Sequence, residues 1–150
     1  MNPSLVIAMM VASGALMAFQ GPINAALRNH VGVLESSLIS FLVGTSVLVL
    51  IVLFRGEGSV LAARQASWWQ LLGGLIGAVF VTTTLIAAPQ IGVTGMIVAA
   101  LAGQMTAGLL IDRFGWVHIP AKPIDLPRVA GLVLLVFSVV LINWSKWRKA

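Results

Sequence analysis

The chain has 150 residues, of which 59% are hydrophobic and 9% charged, with a net charge of +5 and no cysteine. Ordinary soluble domains carry about 25% charged residues, and a domain this small has too little interior to hide so much apolar side chain, so the bilayer is its solvent. The nine Lys and Arg residues sit singly or in short groups at the ends of apolar runs, which excludes a nucleic-acid surface and assigns them to topology and lipid headgroups.

A crossing helix needs about 20 mostly apolar residues, and the chain predicts five. The first covers residues 4–27 and ends before Arg28. It lacks a basic leader and an A-x-A site, and so reads as a retained helix rather than a signal peptide. The second covers 34–54, with Glu35 in its first turn. Residues 65–111 carry no charge; that run is too long for one crossing, and Pro89 with Gly92 divides it into helices at 68–88 and 91–111. The fifth follows Pro127 and covers 127–144. Trp68, Trp69, Trp116, Trp144 and Trp147 fall near predicted ends, as an interfacial aromatic belt requires. The expected fold is therefore an all-α integral membrane protein, a single transmembrane domain of five helices over residues 1–150.

Five crossings put the termini on opposite sides. One side then holds Arg55, Arg64, Arg113, Lys122 and Arg128; the other holds Arg28, Lys146, Arg148 and Lys149. That near-balance gives little electrostatic reason to choose one orientation. Two copies joined end to end would be inverted, which is the inverted-repeat plan of many transporters, so the chain reads as half of a ten-helix assembly. Its expected partners are the lipid bilayer and a second subunit, in an antiparallel homodimer or a heterodimer with a homologous chain. A fixed topology set by the first helix or by a partner is the alternative.

Helix association in lipid depends on small residues that let backbones approach. Gly95, Ala99, Gly103 and Ala107 recur at i+4 on the fourth helix, Gly73 and Gly77 stand in GxxxG spacing on the third, and Gly14 and Ala18 precede Pro22 on the first. This pattern fits packing inside the subunit or a seam between subunits. The fifth helix, rich in Leu and Val with Gly131 as its glycine, is expected towards lipid or at a peripheral contact.

Intramembrane polar groups are costly and raise functional questions. Gln20 and Asn24 stand four apart on one face of the first helix, with Pro22 between them removing a backbone donor. They suit either a neutral hydrogen-bonding site or helix–helix contact. Ser37, Ser40 and Gly44 share a side of the second helix, Thr82, Thr83 and Thr84 follow on the third, and Gln104 on the fourth is a candidate cavity-lining amide. None of the four acids lies mid-membrane. Glu35 sits where a helix dipole favours an anion, which suits a structural role; Asp112 sits where it does not, beside Arg113, and that placement makes it a candidate for gating or proton coupling, a role in which Glu35 is also considered. Asp125 reads as the start signal of the last helix. His30 and His118 fall in predicted loops without partners at metal spacing, and no nucleophile elbow, phosphate loop or acid–base set appears. No metal, cofactor or enzyme chemistry is expected.

Several strings together resemble the YdcZ-like five-helix family of the drug/metabolite transporter superfamily. They are Gln20-Gly21-Pro22-Ile23-Asn24-Ala25-Ala26-Leu27, Ser40-Phe41-Leu42-Val43-Gly44-Thr45, Gly73-Gly74-Leu75-Ile76-Gly77, Gly103-Gln104 and Ile111-Asp112-Arg113-Phe114-Gly115-Trp116. The resemblance implies half of a ten-helix transporter in the inner membrane, found as single, paired and fused copies. The related small multidrug resistance family carries a membrane-embedded Glu in its first helix; amides stand here instead, so proton-coupled export of organic cations is not carried across. The expected function is secondary transport of a small polar metabolite or drug-like compound by alternating access, with Gln20, Asn24, Ser40 and Gln104 lining the cavity. An obligate heterodimer, a channel and a non-transporting scaffold are the rival readings.

Overall fold

A computed structural model describes residues 2–148, with the side chains of Ser145, Lys146 and Trp147 outside the description. The expected roles of Lys146 and Lys149 as topological charges, and of Trp147 as an interfacial ring, therefore lie outside the described residues. Four α-helices make up most of the chain: α1 (Pro3–Val31), α2 (Val33–Arg55), α3 (Leu72–Phe114) and α4 (Leu126–Trp147). All four contain segments long and apolar enough to cross a membrane. Close contacts divide the chain into two compact units, residues 1–89 and 90–150.

The first unit holds α1, α2 and the opening half of α3. Asn2 starts α1 by accepting a hydrogen bond from the Ser4 N–H at 2.9 Å, and Pro3 occupies the first turn, where its missing donor costs nothing. The helix then runs through Pro22 to Val31. It does not end before Arg28, as the charge had suggested. An arginine stem can lie along apolar surface while its head reaches a polar partner, and a cation in the last turn complements the helix dipole. The expected loop shrinks to one residue, Gly32, with φ 102° and ψ 168°. That region is essentially open to glycine alone. Gly32 donates to the Arg28 carbonyl at 2.9 Å and accepts from the Ser36 N–H at 3.1 Å, so it closes one helix and opens the next.

Two short 3-10 helices, Val60–Gln65 and Trp68–Leu71, lead into α3. Ser67 N–H donates to the Gln70 side chain at 2.8 Å, fixing that entry. Within this unit Val81, Leu85 and Ala88 of α3 are buried. A β-carbon on Gly77 would lie 3.4 Å from the Phe41 ring, so the glycine admits the aromatic side chain of α2. Outward residues are apolar and uncovered: Leu16 is 72% exposed and Phe54 81%. Such a surface is stable only against hydrocarbon.

At 43 residues, an unbroken α3 would be about 65 Å long, more than twice the ~30 Å hydrocarbon layer. It is broken where the sequence places the interruption: Gly92 has φ 79° and ψ 161°, outside helical geometry, three residues after Pro89.

The second unit contains the remainder of α3 and α4. Met96 is buried here. Met105 reaches to 3.3 Å from where a β-carbon of Gly131 would stand, and Asn143 of α4 is buried against Gly95. So α4 has an inner face as well as an apolar outer one carrying Val133, Leu134 and Phe137. Asp125 is its start signal, accepting from the Arg128 N–H at 3.0 Å. Trp68, Trp116 and Trp144 are exposed, and Trp116 stacks on Phe114 with ring centroids 5.3 Å apart.

Candidate functional site

The buried polar groups of the first unit meet where α1, α2 and α3 come together. Asn24 is at the centre, with 5% of its surface exposed. Its backbone carbonyl accepts from Ser36 Oγ at 2.8 Å, and its side-chain Oδ1 accepts from the Ser40 hydroxyl. Ser36 and Ser40 are one turn apart on α2, so a single helix face presents both hydroxyls to one asparagine. Ser37 donates to the Val33 carbonyl at 3.1 Å and accepts from Thr82 Oγ1 of α3 at 3.0 Å.

Both oxygens of Asn24 therefore have a hydroxyl partner, while its amide nitrogen Nδ2 is buried and has no hydrogen-bond partner. A buried donor left unpaired costs about 1–3 kcal/mol, so the cluster carries an unmet demand for an acceptor.

Arg28 follows Asn24 by one turn on the same face. Its Nη1 donates to the backbone carbonyl of Leu85 in α3. The choice of carbonyl has a covalent cause. Pro89 has no N–H, so it cannot satisfy the carbonyl four residues earlier, which is that of Leu85. Arg28 thus fills a vacancy that the proline creates. The guanidinium is half-buried and, among the described residues, forms no ion pair; the ion pairs found are those of Arg128.

Of the residues singled out in the sequence, Asn24 and Ser40 come together through a direct hydrogen bond. Gln20 lies one turn before Asn24 but is exposed, and Gln104, in the second unit, is exposed as well. Thr83 and Thr84 bond back to their own helix, at the carbonyls of Val79 and Val81. Glu35 is exposed in the first turn of α2. Asp112 is offset not by the adjacent Arg113 but by Arg128 of α4, whose Nη1 lies 3.4 Å away. The Lys122 N–H also donates to the Asp112 carbonyl, at 2.7 Å, which folds the connecting segment back onto this corner. His30 belongs to the last turn of α1 rather than to a loop. No group of three His, Cys, Asp or Glu side chains able to hold a metal ion occurs among the described residues.

Three contributors escaped the sequence reading. Ser36 was hidden beside Ser37, whose spacing from Ser40 is no more suggestive. Arg28 read as a boundary charge. Asn143, which is 4% exposed and bonds the Val139 carbonyl at 2.9 Å, was not singled out. The usable signal for Arg28 was Pro89, which announces a freed carbonyl without saying what will reach it.

Comparison with known proteins places the chain in a family. The chain is 28% identical over 147 residues to the "Inner membrane protein YdcZ" of Escherichia coli (strain K12), an alignment covering 95% of this chain and 97% of that protein. No solved structure matches it. A family profile described as "Putative inner membrane exporter, YdcZ" matches residues 5–141, nearly the whole length, and the chain belongs to that family.

Proposed function

We propose that this inner-membrane protein is a small secondary transporter that moves a small polar metabolite or drug-like compound by alternating access, as an antiparallel dimer of five-helix subunits. The observation that carries the reading is the polar cluster around Asn24, buried among apolar helices and left with an unpaired donor. Its interhelical bonds would serve a scaffold as well, but an unpaired buried donor adds cost without adding a contact. The family description as an exporter and the inner-membrane relative point the same way.

The dimer draws support from two features. The break at Gly92 allows five crossings, an odd number, and the basic residues divide five against four. Ala99, Gly103 and Ala107 are exposed on the single chain, and no side chain comes within 4 Å of where a β-carbon of Gly103 would lie. That stripe suits close approach by a second helix. In the first unit Gln20, Asn24 and Ser40 are the proposed substrate-facing groups and Glu35 a gating group; in the second unit Gln104 and Asp112 take the same two roles.

Flux into vesicles containing the purified chain alone tests the reading. Saturable uptake with counterflow of one compound from a metabolite panel is the expected result, abolished by Asn24→Leu. Unsaturable conductance would assign a channel instead, and inertness across the panel would remove the transport function.

A further inference from the structure

We infer that Asn24 and Arg28 form a binding site for the carboxylate of an anionic substrate. The inference deepens the transport reading by naming the class of compound carried. It rests on which half of each hydrogen-bonding group remains available. Ser36 and Ser40 donate to the two oxygens of Asn24, and the side-chain group left without any partner is its Nδ2 donor, which is buried. Arg28 carries five N–H donors and no acceptor. One is engaged at the Leu85 carbonyl, and no acid pairs with the guanidinium among the described residues. Asn24 and Arg28 are neighbours at i and i+4 on one helix face, so their donors are presented to the same side of α1.

The unsatisfied groups of the site are thus donors, and its one charge is positive. No carboxylate of the protein stands at the guanidinium among the described residues, so an ammonium or guanidinium group would meet a fixed positive charge with no anion to offset it. A planar, bidentate cation beside a planar amide matches a carboxylate in shape and charge, whereas a phosphate dianion brings more charge than one arginine neutralises. Because Asn24 Nδ2 is sealed from solvent, a carboxylate reaches it only when the packing around Asn24 opens, which makes the site an occluded one.

The test is equilibrium binding to the full chain in lipid nanodiscs, read as a saturable shift in thermal unfolding. Four probes share a ring and differ in headgroup: benzoate, phenyl phosphate, benzylammonium and benzyl alcohol. Benzoate is expected to give the strongest saturable shift. Arg28→Lys and Asn24→Asp should each weaken it about tenfold or more, the loss typical of one charge-assisted bond. Ser46→Ala, at a hydroxyl bonded to its own helix on the exposed side of α2, should leave binding unchanged. Both site variants keep side-chain size nearly constant, so a folding failure in Arg28→Gln would not obscure the result. A structural arginine would instead lower the unfolding temperature in Arg28→Lys without changing benzoate affinity, and that outcome overturns the assignment. So does the absence of a saturable benzoate shift, or tighter binding of phenyl phosphate or benzylammonium. Binding is measured separately from flux. Benzoate binding through Arg28 without transport would fell the transporter reading and leave the site standing, while flux of a cation without benzoate binding would do the reverse.

Discussion

Asn143 makes the physical case for polar residues in this chain as clearly as Asn24 does. Its Oδ1 is buried without a partner and would lie 2.5 Å from a β-carbon placed on Gly95. The amide occupies the space a larger residue at position 95 would fill, which is how small residues earn close approach in lipid. Gly95→Ala is therefore expected to destabilise the protein by about 1–3 kcal/mol through overpacking. In Asn143→Ala the obstacle is gone, and the same change should cost much less. Thermal unfolding of the two single variants and the double variant in detergent gives the coupling, expected at about 0.5–3 kcal/mol; additive losses would mean the two residues do not press on each other. Position 143 was hard to read because Trp144 and Lys146 follow it closely, and one amide at the start of a polar tail looks like a boundary rather than an interior contact.

At the level of elements, the helices were legible because about 20 apolar residues in a row have few alternatives to crossing a bilayer. Their ends were less so. A charge was taken as a stop at Arg28, yet the helix continues to Val31 because the guanidinium finds the carbonyl released by Pro89. That pairing joins residues 57 positions apart, and no local pattern encodes it. The break in α3 was legible, since proline and glycine act through the backbone itself. Two glycine substitutions should separate these effects. Gly92 holds φ 79° and ψ 161°, so Gly92→Ala should cost about 1–3 kcal/mol. Gly14 is helical with nothing within 4 Å of its missing β-carbon, so Gly14→Ala should be neutral or stabilise by up to about 1 kcal/mol. Unfolding midpoints of opposite sign would confirm the contrast; equal destabilisation would place Gly14 in a contact outside the single chain. The Arg28 anchor makes a companion prediction. In Pro89→Ala the Leu85 carbonyl regains a donor within its own helix, so the stability lost in Arg28→Gln should shrink in that background, which a double-mutant cycle measures.

For the whole molecule the deciding quantity is orientation. Asn29, near the end of α1, and Gly58, just after α2, are both exposed, and α2 separates them. Its 23 residues span about 35 Å, enough to cross a ~30 Å hydrocarbon layer. A cysteine at either position is unique, because the chain has none of its own, and Gly58 has open space for one. If the five-against-four charge distribution leaves orientation undecided, Asn29→Cys and Gly58→Cys should each be labelled partially in intact cells by a membrane-impermeant thiol reagent. Labelling of one and not the other would fix the topology and transfer the search to an inverted partner subunit. Adding charge then tests whether mixed orientation matters. Glu57→Lys with Ser59→Lys raises the basic count beside Gly58 and should drive that loop to the cytoplasmic side, with labelling at Gly58→Cys falling towards zero. Under the antiparallel reading transport should fall with it, because a population of one orientation cannot form inverted pairs, and co-expression of a chain biased the other way should restore it. Undiminished flux from the single-orientation population would show that each subunit, or a parallel pair, transports on its own.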